Sequence, residues 1–374
     1  MALGETVGLW PGRRGLRGAR PGTLAAPPFP DVRELRPLTA PPAQRATVVD
    51  LALWTVGAGR DAVPLAVARR AVPGALPDPA GPARPACPGA PLDAARESLR
   101  RGRYAEAAAS ARRALWTGRE PERAEALWTG REPERAEALW ILAVALWQGP
   151  EPASAAVFRL RTLWAEHADG RPAARLVLAG PLAVLHAMRE REPEARAALA
   201  EARAAAAEVD PAGGAVLLPL LTAEVESLAG RPERSLHLLE EAAQAAAPLG
   251  LERLRTAVDR AVVRRRGELY PEGVRRLGDG GWPGETGGPE REVGRGCAAE
   301  AVAAAGRAVA EAVATDSPVA QALARLDRAE ALRWAGRPQD ARREVCLAGL
   351  CFARKGHVPG VSRAAARHAA LASA

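Results

Sequence analysis

A short turn signature recurs along the chain from residue 102 and constrains its fold more than any other feature. A glycine is followed, five positions later, by a small residue in Gly102 to Ala107, Gly230 to Ser235 and Gly336 to Ala341. Glycine tolerates the left-handed backbone conformation that ends many helices. A small residue inside the next helix lets the two helices approach closely. We therefore predict that each signature joins the two helices of a hairpin.

Three further turns fit this frame less well. The segment from Glu190 to Ala195 carries glutamate where glycine is expected. Because side chains disfavour the left-handed conformation, we expect this turn to be slightly strained or differently shaped. Gly149 marks another turn and Gly273 a weaker one.

The spacing of these turns predicts the architecture. Their centres lie at 102, 149, 190, 230, 273 and 336, and the three middle intervals are 41, 40 and 43 residues. A helix–turn–helix unit that recurs at this length is typical of an α-solenoid. The last interval is longer because residues 267–296 contain ten glycines, which predict an inserted loop.

A perfect tandem repeat lies inside the first interval. The unit ALWTGREPERAE occurs twice over residues 114–137, and a third copy begins with ALW at 138–140. Removing one unit shortens the interval from 47 to 35 residues, close to the ~34 of a tetratricopeptide hairpin. We interpret the repeat as an in-frame duplication without a functional role, and we expect a short extra helix near 121–128. A displaced helix would leave one or two of its tryptophans exposed.

Apolar residues follow helical spacing throughout this region. Two such seams are Val302, Ala305, Val309 and Val313, and Ala341, Val345, Ala348 and Phe352. Hydrophobic residues make up 48% of the chain but aromatic ones only 4%, so Ala and Leu, both strong helix formers, dominate. The sequence predicts an all-α protein, a tetratricopeptide-like α-solenoid of about five hairpins over 92–374.

The first 91 residues have a different composition. They contain 16 of the 33 prolines, each of which removes a backbone donor and discourages helix in the preceding residue. We predict a Pro/Gly-rich, largely irregular and poorly ordered region over 1–91, with one possible helical hairpin at 45–72.

The net charge of +8 makes a nucleic-acid partner possible but not favoured. The chain has one lysine, one isoleucine and no asparagine, which indicates a GC-rich, bacterial gene that supplies arginine as its basic residue. Most arginines alternate with glutamates, a pattern typical of solvated helix faces. The densest basic run, Arg264 to Arg266, lies at the end of a predicted helix, where cations are favoured.

No constellation of residues predicts catalysis, a cofactor or a metal site. His237 and Glu240 share a helix face, but a metal needs further ligands from another element. The stretch Gly360 to Ala364 resembles a nucleophile elbow only faintly, since a helix and not a strand precedes it. Lys355 and Gly356 are interpreted as a cationic last turn and a terminating glycine.

The same sequence predicts a cytoplasmic protein without a membrane segment. Its four cysteines are too few and too scattered for a disulfide framework. No apolar run approaches the ~20 residues that cross a bilayer, and the N-terminus lacks the apolar core of a secretory signal.

Three stretches resemble a known family. Residues 182–199, 224–233 and 323–356 are similar to the tetratricopeptide-like tails of large bacterial signalling proteins. In those proteins a regulatory ATPase module, often with a class III nucleotide-cyclase or a DNA-binding domain, precedes the helical repeats. The resemblance covers roughly 92–370. It implies a repeat scaffold that contacts protein partners or regulates an attached effector.

The family's ATPase and catalytic motifs are absent, since no GxxxxGK[ST] stretch occurs in the chain. We therefore expect a non-catalytic scaffold that binds protein or peptide, the repeat region of a bacterial signalling or transcription regulator. Two alternatives stay open: a DNA-associated transcriptional regulator fragment, and an inactive remnant of an ATPase- or cyclase-type protein.

Overall fold

The computed structural model describes residues 91–116, 132–247, seven residues between 255 and 265, and 290–373. Twelve helices and no strand occur in those residues, which confirms the all-α prediction. The helices are α1 (Pro91–Arg100), α2 (Tyr104–Trp116), α3 (Glu132–Gln148), α4 (Ala153–His167), α5 (Pro172–Met188), α6 (Glu192–Val209), α7 (Pro211–Leu228), α8 (Pro232–Ala246), α9 (Glu290–Val313), α10 (Pro318–Trp334), α11 (Pro338–Lys355) and α12 (Val358–Ser373).

Several predictions concern residues outside these ranges. The irregular region up to residue 90, its possible hairpin at 45–72 and the short extra helix near 121–128 all lie outside the described residues. The glycine-rich segment is described only from Glu290, and there the loop prediction is wrong. Residues 290–296 form the first two turns of α9 because the helix-forming residues around Gly294 and Gly296 outweigh the cost of two glycines.

Consecutive helices pack against each other, which is consistent with an α-solenoid. Five hairpins have their turns near residues 102, 149, 190, 230 and 336. They pair α1 with α2, α3 with α4, α5 with α6, α7 with α8 and α10 with α11.

Helices α1 to α8, called here the N-terminal array, form two layers. Helices α1, α3, α5 and α7 pack side by side, and each contacts the partner helix of its own hairpin. This inner layer is apolar: buried residues run without a break from Ala138 to Trp147 in α3 and from Leu176 to Met188 in α5. A helix that is apolar on all sides must be covered on all sides.

Helices α10 to α12, called here the C-terminal module, have an apolar core of their own. Ala341, Val345, Ala348 and Phe352 are buried in it, as their spacing predicts. The other seam is only partly correct, since Val313 is 50% exposed. Val313 is the last residue of α9, where the chain turns towards α10 and leaves no neighbour to cover the side chain.

Candidate functional site

The recurring turn has one geometry at four of the five hairpins. Gly102, Gly230 and Gly336 have φ values of 69°, 75° and 71°, and Glu190 has a φ of 57°. At each, the amide of the residue after the turn residue donates to the carbonyl five residues earlier, as Arg231 does to Glu226 at 2.9 Å. This is the Schellman arrangement that satisfies the last carbonyls of a helix.

The small residues of the signature lie where the hairpin helices meet. Ala107, Ala195, Ser235 and Ala341 are fully buried. Each amide donates to the backbone carbonyl four residues earlier, which starts the second helix. Glu190 therefore keeps the shape of the glycine turns and adopts a conformation that costs about 1–2 kcal/mol for a residue with a side chain.

Gly149 serves a different purpose from the other turn glycines. Its φ is not positive. A Cβ atom at this position would lie 2.8 Å from the Cβ atom of Tyr104 and 2.4 Å from the carbonyl oxygen of Ala145. Gly149 therefore allows the turn between α3 and α4 to approach the start of α2.

The C-terminal module lies against the inner layer of the array. Helix α10 contacts α3, and helix α12 contacts α5. Val319, in the first turn of α10, packs against the apolar cores of both the array and the module. The module thus supplies part of the cover that the apolar helices α3 and α5 require.

Asp316 joins the module to the beginning of α2. Its carboxylate accepts hydrogen bonds from the amides of Tyr104 and Ala105, both at 2.8 Å. Its own amide donates to the carbonyl of Gly102 at 3.1 Å. The first amides of a helix have no partner within it, and an acidic group there is favoured by the helix dipole. Asp316 caps a helix that begins 212 residues earlier in the chain.

Lys355 joins the module to the end of α3. The side chain is fully buried. Its amine donates three hydrogen bonds, to the carbonyls of Leu146 at 2.9 Å, Gly149 at 2.9 Å and Glu151 at 2.8 Å. A cation is favoured at a helix C-terminus for the same reason that an anion is favoured at an N-terminus.

The protonation of Lys355 depends on two opposing effects. Burial lowers the pKa of Lys355 to about 7, and the negative charges of Glu151 and Asp316 oppose this change. An ammonium group donates three hydrogen bonds and a neutral amine only two, so the three carbonyl acceptors favour the charged form. Gly356 ends α11 in the left-handed conformation, as predicted, with a φ of 73°.

The stretch from Gly360 to Ala364 forms the first turns of α12, and nothing in it is arranged as a nucleophile elbow. Nδ1 of His357 accepts a hydrogen bond from the amide of Gly360 at 2.9 Å and so caps this helix. The imidazole ring also packs on Phe352, with ring centroids 4.9 Å apart. Burial, with a smaller contribution from the positive charges of Arg363 and Lys355, lowers the pKa of His357 to about 4.

Four buried polar atoms of the inner layer have no hydrogen-bond partner within the described part of the chain. They are Nε1 of Trp140, Nε1 of Trp147, Nε of Arg175 and Nδ1 of His186. Burial lowers the pKa of His186, and the positive charge of Arg161 contributes, so the imidazole is neutral near pH 7. A buried polar atom without a partner costs free energy and invites an explanation.

The remaining candidates from the sequence do not come together as sites. Nε2 of His237 lies 3.0 Å from Glu241 in an exposed pair on α8. Where the chain is described, no group of three or more His, Cys, Asp or Glu side chains could hold a metal ion. Of the basic run, only Arg265 is described. None of the described helices is long and apolar enough to span a membrane.

A small cavity lies between the turns of the third and fourth hairpins. Its volume is about 170 Å³, and Ala187, Glu190, Val225 and Leu228 are among its lining residues. Small-molecule sites usually enclose about 300–1,000 Å³. This cavity is therefore too small to define a ligand site.

The first and third copies of the duplicated unit place the same tryptophan in opposite environments. In the first copy Trp116 ends α2 and is 62% exposed, whereas in the third copy Trp140 lies inside α3 and is 7% exposed. One tryptophan of the duplicated region is thus on the surface.

No protein-family model, no curated protein and no solved structure matches the chain. The likeness to repeat tails of bacterial signalling proteins therefore depends on the three sequence stretches named above.

Proposed function

We propose that the chain is a non-catalytic helical-repeat scaffold that binds a segment of another protein along the inner layer of its N-terminal array. The proposal extends, through the sequence resemblance, to the regulatory repeat region of a bacterial signalling or transcription regulator. Stacked helical hairpins commonly present such extended binding faces.

The observation that carries the proposal is the set of polar atoms on α3 and α5. Residues 138–147 of α3 and 176–188 of α5 are buried and almost entirely apolar, yet Trp140, Trp147 and His186 each bury a polar atom that has no partner among the described residues. The two indole N–H groups are donors, and a bound peptide backbone offers carbonyl acceptors. Such polar groups within an apolar surface fix the position of a bound segment.

The test begins with a library of displayed random peptides selected on the full-length chain. The affinities of the selected peptides are then measured by fluorescence anisotropy for the original chain and for the double variant Trp140→Phe with Trp147→Phe. Phenylalanine keeps an aromatic ring and removes the N–H donor. Two lost hydrogen bonds at about 1 kcal/mol each predict an affinity loss of about tenfold or more.

Trp334→Phe is the matched control because Trp334 is an exposed tryptophan at the end of α10 in the C-terminal module. This variant should bind the selected peptides as the original chain does. Equal affinities for all three proteins, or no selected peptide at all, would contradict the proposal.

The DNA-associated alternative gives a different result. Binding to phosphates releases counterions, so affinity for DNA would fall steeply with salt concentration. Retention of duplex DNA at low salt, with such a fall, would favour that alternative over the peptide-binding scaffold.

A further inference from the structure

The array and the C-terminal module have separate apolar cores. Leu326, Val345 and Phe352 belong to the core of the module, while Ile141 and Leu185 belong to that of the array. Val319 packs against both cores. Units of one chain with separate cores and a small shared surface are expected to move relative to each other.

The contacts that hold the two units together are mainly polar and lie at helix ends. Asp316 supplies an anion to the N-terminus of α2, and Lys355 supplies a cation to the C-terminus of α3. Helices α2 and α3 are antiparallel neighbours, so these two ends lie at the same edge of the array. Gly356 lies next to the start of α4 in the array, since a Cβ atom at Gly356 would lie 3.8 Å from the amide nitrogen of Ala153.

The formal charges of the two units are complementary. The array, at residues 91–116 and 132–247, contains 20 acidic residues and 17 arginines, whereas the module, at 318–373, contains four acidic residues and ten arginines and lysines. Opposite net charges favour the approach of the two surfaces and fix their orientation. This attraction acts on the whole unit, while Asp316 and Lys355 set its position.

We infer that the C-terminal module is a reversible cover over the inner layer of the array, held by a catch that consists of Asp316 and Lys355. In the docked state α10 contacts α3 and α12 contacts α5, so the module occupies part of the surface that a peptide would need. This inference deepens the proposed function, on which it rests, because it names how the same binding face is regulated. A partner segment must displace the module to bind.

The first experiment measures the cover without any ligand. The full-length double variant Asp316→Ala with Lys355→Met removes both halves of the catch. Its radius of gyration from small-angle X-ray scattering should increase relative to the original chain. Hydrogen exchange at the amides of Tyr104 and Ala105 should accelerate at least tenfold, while exchange within α10 and α11 stays unchanged.

A matched control removes one acid and one base elsewhere on the module. Arg337 and Asp340 form an exposed ion pair at 2.7 Å at the start of α11, away from the array contacts described above. The double variant Arg337→Met with Asp340→Ala should keep the original radius of gyration and exchange rates.

Two outcomes of the first experiment would overturn the inference. An unchanged radius of gyration in the catch variant would show that Asp316 and Lys355 do not hold the cover. Loss of exchange protection within α10 and α11 would show that the contact belongs to the folded core of the module. The single variant Asp316→Asn keeps the side-chain size and should open the cover partly. It tests with a smaller change whether Asp316 holds the cover.

The second experiment separates this inference from the proposed function. Peptides selected on the original chain should bind the catch variant at least tenfold more tightly, because the competent state is no longer a minor population. If the catch variant opens but binds the peptides no more tightly, the inference of a reversible cover is supported and the peptide-binding function is contradicted. A variant that stays closed would contradict the cover, whatever the peptides do.

Discussion

The N-terminal array and the C-terminal module use the same turn but are stabilised differently. In the array, whole helices such as α3 and α5 are buried by apolar neighbours. In the module, buried Glu344 accepts hydrogen bonds from Arg325 at 2.9 Å and Arg328 at 3.0 Å. The array has charged pairs too, such as Arg96 with Glu137 at 2.6 Å, but Glu137 lies nearer the surface than Glu344 does. The comparison teaches that the same hairpin can carry its charged pairs at the rim of an apolar core or bury the carboxylate against it.

The largest effect is expected where the array depends on apolar burial alone. Ile141→Ala removes a fully buried side chain of α3 and should lower the free energy of unfolding by about 3–4 kcal/mol. Leu350→Ala in the module, at a side chain that is 67% exposed, should change it by less than about 0.5 kcal/mol. Urea unfolding of both variants measures the difference, and similar values would contradict the described burial.

The module should be the more pH-sensitive of the two units. The pKa of His357 is about 4 in the folded state, against 6.5 as its ordinary value, so the unfolded chain binds more protons between these values. Stability from this group is complete above pH 6.5 and is lost as the pH falls towards 4. A shift of this size corresponds to about 3 kcal/mol.

His357→Asn provides the control for this prediction. Asparagine can cap α12 through its side-chain oxygen and does not titrate. Calorimetry or urea unfolding between pH 7 and 4 should show a smaller loss of stability for this variant than for the original chain. Parallel curves would mean that His357 does not titrate as described.

The charged contacts of buried Glu344 should contribute more to the stability of the module than its exposed ion pairs do. Glu344→Gln leaves Arg325 and Arg328 without their carboxylate and should destabilise the module by about 2 kcal/mol, less than for a fully buried pair because both arginines are partly exposed. Asp340→Asn, at an exposed pair with Arg337, should cost less than about 0.5 kcal/mol. Hydrogen exchange within α10 and α11 measures the destabilisation caused by each variant. Equal destabilisation by the two would contradict the difference between buried and exposed ion pairs.

The smallest effect is expected at Glu190, the residue that takes the place of glycine in one hairpin turn of the array. Glu190→Gly should raise the free energy of unfolding by about 1 kcal/mol, because glycine adopts a positive φ without a steric penalty. The reverse change in the module, Gly336→Ala, should destabilise by a similar amount. The midpoint temperature of thermal unfolding should rise for Glu190→Gly and fall for Gly336→Ala. A shift in the same direction for both variants would contradict the shared turn geometry.

The sequence predicted the helical class and the five turns within the described residues because both are set by local patterns. The weaker turn expected at Gly273 lies outside the described residues. Gly336 and Ala341, for example, determine their turn through residues within one helical turn of each other. It did not predict the partners of Asp316 and Lys355, which lie more than 200 residues away in the chain. The sequence interpretation placed Lys355 in the last turn of its own helix, but its amine binds the end of another.

A signal for that contact was present but ambiguous. Lys355 is the single lysine of a chain whose gene favours arginine, which suggests that a compact ammonium group is needed there. Arginine has a planar group with five donors, which would not fit three converging carbonyls in a closed space. No periodicity or spacing indicates which carbonyls these are.

The cap that Asp316 provides for α2 also bears on how the chain folds during its synthesis. The amides of Tyr104 and Ala105 leave the ribosome 212 and 211 residues before the carboxylate that binds them. At roughly 5–20 residues per second, translation would separate the two events by roughly 10–40 s. During that interval the start of α2 lacks its cap, which a residue in the last quarter of the chain then supplies.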